Sequence, residues 1–184
     1  ISLGLVGSEM CIRDRWEVVN AAKTKPFGFE SFKPGPGVGG HCIPVDPEYL
    51  SFKTRQVGKP VRFVELAQEI NNSMPAYVVG QISEILNKNG KLLNNSKILL
   101  MGVAYKKDIS DMRESPALKI IELLTFKGAS ISYHDPNVYN AKELKFVELN
   151  KENLRKADAV VITTDHSNVD YCLLYTSPSP RDPT

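Results

Sequence analysis

Apolar positions along the chain follow two rhythms. Between residues 62 and 89 they recur every three or four positions, at Phe63, Leu66, Ile70, Met74 and Tyr77, then at Ile82, Ile85 and Leu86. That period belongs to an amphipathic helix with one apolar stripe. Such a helix spans about 40 Å at 1.5 Å per residue. This is longer than a small domain needs, so the helix should link two domains or pair with a partner. Pro75 is expected to bend or interrupt it, and Gly90 to stop it. From Lys97 onward the rhythm shortens. Ile98–Val103, Ile131–His134 and Ala159–Thr163 read as strands. A helix capped by Ser115 and opened by Pro116, ending before Gly128, lies between the first two, and a short helix over Glu152–Lys156 precedes the third. Strand, helix, strand, helix, strand predicts right-handed crossovers and a doubly wound parallel sheet, incomplete within this chain.

The upstream third is helical and then irregular. Trp16, Val19 and Ala22, three apart, mark the end of a helix. Prolines and glycines crowd the stretch from Pro26 to Gly40 into a long loop. A helix should begin at Pro47, capped by Asp46, and run to about Arg55, with Gly58, Lys59 and Pro60 making the next turn. The fold class is therefore α/β: a helical segment with a long interdomain helix over 16–90, then the sheet domain over 91–171.

The two ends read differently. Residues 1–15 carry an apolar stretch followed, not preceded, by arginines, the reverse of a secretory signal. Residues 172–184 are rich in Ser and Pro and should be disordered. Both resemble translated sequencing-adapter read-through and are expected to be non-native tails. The competing reading of the first is a strand at Leu3–Val6.

Composition narrows the classes. The 184 residues carry a net charge of +2, which makes no electrostatic case for nucleic acid or an anionic membrane surface. Apolar runs such as Ile98–Met101 are far too short for a membrane span. Three cysteines cannot build a secreted disulfide framework, and the odd count suits a reducing, cytoplasmic setting. Cys11 and Cys172 belong to the ends, which leaves Cys42.

Cys42 closes the strongest local feature, the run from Lys33 to Pro47 (KPGPGVGGHCIPVDP). No Gly-Lys-Ser/Thr ends this run and no strand precedes it, so it is neither a P-loop nor a dinucleotide fingerprint. Its glycines let backbone approach a ligand and offer N–H groups to an anion or sugar. A cysteine just before a helix feels the positive end of the helix dipole, which favours the thiolate. Asp46, four residues on, is near enough to orient or deprotonate a water. The alternatives are a buried cysteine acting as a small hydrophobe and an aspartate that only caps. A metal site at His41, Cys42 and Asp46 lacks a second Cys or His at ligand spacing.

The segment Pro36–Pro47 resembles the active-site segment of the UDP-sugar 6-dehydrogenases, within the UDP-glucose/GDP-mannose dehydrogenase superfamily. The resemblance continues through Glu69–Pro75 (EINNSMP), Gly102–Ala117 (GVAYKKDISDMRESPA), Tyr133–Pro136 and Thr164–Ser167. Val45 stands where UDP-glucose dehydrogenases commonly carry lysine. His41, Ile43 and Pro44 fit better the branch acting on UDP-N-acetylhexosamines, such as UDP-N-acetylglucosamine 6-dehydrogenase.

The resemblance implies oxidation of a sugar C6 hydroxyl to a carboxylate with NAD as cofactor, in service of surface polysaccharide biosynthesis. Cys42 would be the nucleophile that forms a thiohemiacetal and then a thioester, and Asp46 would assist its hydrolysis. Lys33, Pro34, Gly35, Pro36, Gly37, Val38 and Gly39 would wrap the UDP-sugar, with Tyr105 and Lys106 touching it from a Rossmann-like C-terminal domain. Arg113 would reach the NAD phosphates. From the residues alone, Arg113 reads as a surface ion pair with Asp108, Asp111 or Glu114, and Lys106 and Lys107 as a solvated strand end. Asp135 is either a ribose-binding acid or part of an Asp-Pro turn. The 62–89 helix would form a homodimer. The family's glycine-rich NAD-binding domain is not within this sequence, so the chain alone is expected to be inactive.

Overall fold

The computed structural model describes residues 15–141 and 144–176, in two units that divide between Gly35 and Pro36. In the first, helix α1 (Arg15–Lys23) covers the expected helix end and closes at Thr24, whose hydroxyl donates to the Ala21 carbonyl at 2.7 Å. Chain without regular structure follows to Gly35. The second unit holds α2 (Asp46–Gln56), α3 (Arg62–Lys88), β1 (Lys97–Met101), α4 (Pro116–Phe126), β2 (Ser130–His134), β3 (Lys145–Phe146), α5 (Lys151–Lys156), β4 (Ala159–Ile162) and α6 (Cys172–Thr176).

The four strands are parallel and lie in the order β3-β2-β1-β4. Central β1 reads KILLM, and every residue after Lys97 is buried, as befits a strand covered on both faces. Ile98 and Leu100 point to one side, where Val79, Ile82 and Leu86 of α3 and Ile120 and Leu124 of α4 pack. Leu99 and Met101 point to the other and meet Leu154 of α5 with Leu173 and Leu174 of α6. Helices on both faces make this a doubly wound α/β sheet.

Helix α3 runs unbroken for 27 residues through Pro75, contrary to the expected interruption. Pro75 lacks an N–H, so it cannot serve the Asn71 carbonyl, while the Asn71 side chain donates back to the Ala67 carbonyl at 2.8 Å. The C-terminal end behaves as expected: Gly90 takes φ +71° and Lys91 N–H returns to the Leu86 carbonyl at 2.9 Å. The apolar stripe is split. Ile82 and Leu86 at its C-terminal end enter the core, whereas Phe63 is 88% exposed and Leu66, Ile70, Tyr77 and Ile85 are at least half exposed.

Other elements correct the sequence reading. Asp46 does not cap α2. Its N–H donates to the Cys42 carbonyl at 2.8 Å, so the chain already turns helically at Cys42, Val45 holds the cap position, and no side chain bonds there. β1 stops at Met101, because Gly102 leaves the strand with φ +82°. Strand β3 was not expected, since two residues carry no readable alternation. Residues 172–176 form α6 rather than a disordered tail, for Leu173 and Leu174 have an apolar sheet face to cover. Residues 177–184 and 1–14, including Leu3–Val6, lie outside the described residues.

Two contacts fix β1 against its surroundings. A Cβ on Gly102 would sit 2.3 Å from the Thr164 carbonyl oxygen, which is backbone and cannot yield. Gly102→Ala should therefore cost more than about 3 kcal/mol, read as loss of a cooperative urea transition or a large drop in its midpoint. At the strand's other end, Asp158 accepts from Lys91 Nζ at 2.5 Å and from Lys97 N–H at 2.7 Å. First the Lys91 hydrogen bond and then the Lys97 N–H hold its carboxyl below the usual range. A depressed carboxylate stabilises the fold above its unfolded pKa and loses that contribution as pH falls through the folded one. Asp158→Asn should cost up to about 1 kcal/mol at neutral pH. The gap to the unsubstituted chain in urea titrations should close on acidification.

Candidate functional site

In a doubly wound sheet, ligands are met beyond the carboxyl ends of the strands, where the strand order reverses. Here the reversal falls between β1 and β4. That crevice is closed by protein. Thr163 Oγ1 donates to the Gly102 carbonyl, Thr164 Oγ1 donates to the Ala104 carbonyl at 2.6 Å, and the Thr164 carbonyl fills the space a Gly102 Cβ would need. A pyrophosphate has no room against Gly102. Among the described residues of this sheet, therefore, the cradle for NAD is not present.

The chain instead builds outward from the turn after β1. Val103 and Ala104 are buried, and their N–H groups donate to Asp135 Oδ2 at 2.7 and 3.1 Å. Asp135 is itself fully buried and also accepts from Asn137 N–H at 2.9 Å. It anchors backbone and is closed off from any ribose, so of its two sequence readings the turn is nearer. Tyr105 follows, its N–H donating to the Asp111 carbonyl at 3.0 Å. Lys106 is exposed, and Lys107 lies 3.3 Å from Asp165.

The glycine loop docks on this turn. Gly40 N–H donates to the Arg113 carbonyl at 3.0 Å. A Cβ on Gly39 would lie 2.6 Å from Tyr105 Cβ and 2.7 Å from the Glu114 carbonyl, and one on Gly40, where φ is +100°, would meet the Tyr105 ring at 3.0 Å. Glycine is required here because two backbones and an aromatic ring share one space. Gly37 and Val38 line a neighbouring cleft of about 420 Å³ together with Asn71, Pro75, Ser115 and Pro116. Lys33, Pro34 and Gly35 belong to the first unit and are exposed there.

Cys42 is exposed, as is Asp46. The Asp46 N–H, bonded to the Cys42 carbonyl at 2.8 Å, sets the two residues one turn apart. Neither borders the 420 Å³ cleft. The bland reading of a buried cysteine does not hold. Arg113 forms a forked pair with Asp111, Nε to Oδ2 at 2.9 Å and Nη2 to Oδ2 at 2.6 Å. Asp111 raises the Arg113 pKa through that hydrogen bond and its charge, with Tyr105 and Cys42 adding smaller effects. The guanidinium thus stands within electrostatic range of the thiol. The same fork holds Asp111 below the usual carboxylate range. Of the three acids considered from sequence, Asp111 is the partner; Asp108 is occupied by Ser167 N–H and Oγ, each at 2.7 Å.

Two family models match the chain: the central domain of the UDP-glucose/GDP-mannose dehydrogenase family over residues 8–73 and the UDP-binding domain of that family over residues 99–178. The chain belongs to this family. A UDP-N-acetyl-D-mannosamine dehydrogenase of Methanococcus maripaludis is 36% identical over 151 residues, covering 82% of this chain and 33% of that protein. The Escherichia coli K12 protein of the same name is 33% identical over 161 residues, covering 83% and 37%. Among solved structures, the UDP-D-ManNAc dehydrogenase of Pyrococcus horikoshii superposes with a TM-score of 0.73 at 32% identity, covering 88% of this chain and 37% of the other. That of Staphylococcus aureus gives 0.64 at 36% identity, covering 86% and 36%. The chain thus spans about a third of the length of these relatives.

Within the family's two domains, the loop bearing Cys42 falls in the central one and the Tyr105 turn in the UDP-binding one. From the sequence, Asp135 reads as a ribose acid or a turn residue, and His166 stands out only within the Thr164–Ser167 resemblance. The clue to their structural part was an acid and a histidine placed just after two strands. The docking makes a direct prediction. Gly39→Ala should push the loop off Tyr105 while leaving the sheet folded, seen as faster amide exchange at Gly37–His41 with β1 and α4 unchanged.

Proposed function

We propose that the chain is the sugar-binding and covalent-catalysis part of an NAD-dependent UDP-N-acetylhexosamine 6-dehydrogenase that oxidises C6 to a carboxylate. The docking of Gly39 and Gly40 on the Tyr105–Arg113 segment carries this reading. It ties the cysteine loop of one family domain to the nucleotide-binding turn of the other. The sugar class follows relatives that act, by name, on an N-acetylhexosamine, and agrees with Val45 in place of lysine.

In this reading Pro36, Gly37, Val38 and Gly39 face the sugar and diphosphate. Tyr105 and Lys106 meet the nucleotide, where the ammonium offsets phosphate charge. NAD, when bound, is the hydride acceptor. The described residues do not form its cradle, and Arg113 is the group that would reach its phosphates, at the expense of its fork with Asp111.

The chain's own chemistry falls at two steps. Cys42 Sγ, as thiolate, adds to the C6 aldehyde; the S–C bond forms and the carbonyl oxygen takes up a proton. At the thioester stage, water adds to C6 while Asp46 takes its proton. The S–C bond then breaks, releasing the carboxylic acid and restoring the thiolate. A soft nucleophile that also leaves well is what this pair of steps needs.

Among the described residues no helix is long and apolar enough to cross a membrane. The reading places the enzyme in the cytoplasm, making sugar acids for surface polysaccharide. A second copy of the chain would cover the exposed α3 stripe at Phe63, Leu66, Ile70 and Tyr77 as a homodimer.

The test is chemical. Iodoacetamide should alkylate Cys42, resolved from exposed Cys172 by peptide mass spectrometry, and UDP-N-acetylhexosamine should slow the Cys42 reaction alone. Equal rates at Cys42 with and without the nucleotide sugar would sink the assignment.

A further inference from the structure

His166 lies two residues beyond Thr164, has its side chain wholly buried, and takes no part in the chemistry above. Its Nε2 is 3.1 Å from Asp135 Oδ2. Its Nδ1 receives the Asp108 backbone N–H at 3.0 Å and stands 3.0 Å from Asn137 Nδ2. A backbone N–H only donates, so Nδ1 carries a lone pair; the ring is neutral and its proton sits on Nε2, directed at Asp135. The 3.9 Å approach of Nδ1 to Asp108 Oδ1 is therefore not an ion pair.

The residue bonded to Nδ1 is itself unusual. Asp108 has φ +61°, the left-handed region that non-glycine residues enter at a cost. Three bonds hold it there: its N–H to His166, and its carboxylate receiving Ser167 N–H and Oγ. The other end of the same turn, Val103 and Ala104, is held by the very Asp135 oxygen that His166 meets. Tyr105, Lys106 and Lys107 lie between these two anchors. One buried Asp–His pair thus pins both ends of the turn that presents them.

We infer that His166 is a positioning residue for the 103–108 turn, and through it for Tyr105 and Lys106 against the nucleotide of a UDP-sugar. The second half of this statement rests on the functional reading above; the first does not.

Two conservative replacements separate the ring's two roles. In His166→Asn the amide oxygen can stand where Nδ1 stands and keep the Asp108 N–H. In His166→Gln the longer side chain can reach Asp135 but abandons Asp108. With the 184-residue chain labelled in ¹⁵N, the His166 ring should show an unprotonated Nδ1 and a protonated Nε2. Amide exchange at Asp108 should quicken roughly tenfold in His166→Gln, about one hydrogen bond's worth, and far less in His166→Asn. UDP, titrated calorimetrically, should bind roughly tenfold more weakly to the Gln variant, with the Asn variant restoring most of the loss.

Equal exchange at Asp108 in the two variants, a protonated Nδ1, or acceleration spread evenly over β1 and α4 would overturn the positioning role. Altered exchange with unaltered UDP affinity would overturn its link to the nucleotide. If the unsubstituted chain does not bind UDP, the functional reading fails while the exchange data still decide the role of His166. A chain that unfolds on His166→Gln is decided by the ring nitrogens and by Ser167→Ala. That variant removes one bond to Asp108 and should quicken the same amide by a smaller factor.

Discussion

A carboxylate without access to water organises the working end of this molecule. Asp135 collects the N–H groups of Val103, Ala104 and Asn137 and the imidazole of His166, so the loops leaving β1, β2 and β4 converge on one side chain. A buried charge is tolerable only when its lone pairs are satisfied, and removing donors one at a time leaves it exposed to the full desolvation cost. The three loops are therefore not independent. Once Asp135 is placed, the backbone of the Tyr105 turn is placed with it. The glycine loop must then conform, because Gly39 and Gly40 fit against that turn only without side chains.

This dependence explains which features could be read from residue order. Strands and helices of the sheet domain were legible because their signals are local: the unbroken apolar run in KILLM, Ser115 before Pro116, Gly128 after α4. Ser115 does cap, accepting from Ala117 N–H at 3.3 Å. Asp46 was misread because capping depends on where the helical turn begins, and three residues of turn before it moved that point to Cys42. Residues 172–176 were misread because composition averages over a window, while two leucines sufficed to seat α6. Pro75 was expected to bend or interrupt α3; the helix is not interrupted, because the sheet and α4 hold it on the far side of the proline.

The site was legible in part. Motif order placed Cys42 and the glycines on one loop and Asp46 at the helix that follows; Asp46 is the first residue of α2, though not its cap. The pairing of Arg113 with Asp111 was among the options that charge alone allowed, but choosing it needed the fork geometry. No sequence rule identifies Asp135 as an anchor or His166 as its partner, since these residues, 31 apart in the chain, meet only because β2 and β4 lie on either side of β1. The family's two domains also meet in a way the sequence only orders: the cysteine loop meets the Tyr105 turn through glycine main chain, set against the Tyr105 side chain and the Arg113 and Glu114 carbonyls.

The placement of β1 sets an order of events for the nascent chain. Its partner β2 arrives after one helix, but Ile98 waits for Ala159 before its second edge is paired. Closing so long a loop is entropically costly and slow. During synthesis α3, β1, α4 and β2 can associate through neighbouring contacts, while Leu99 and Met101 remain uncovered until Leu154, Leu173 and Leu174 emerge. The segment that shields the most apolar strand is thus translated well after it, and a ribosome that stalls between the two would leave a sticky intermediate for chaperones to hold.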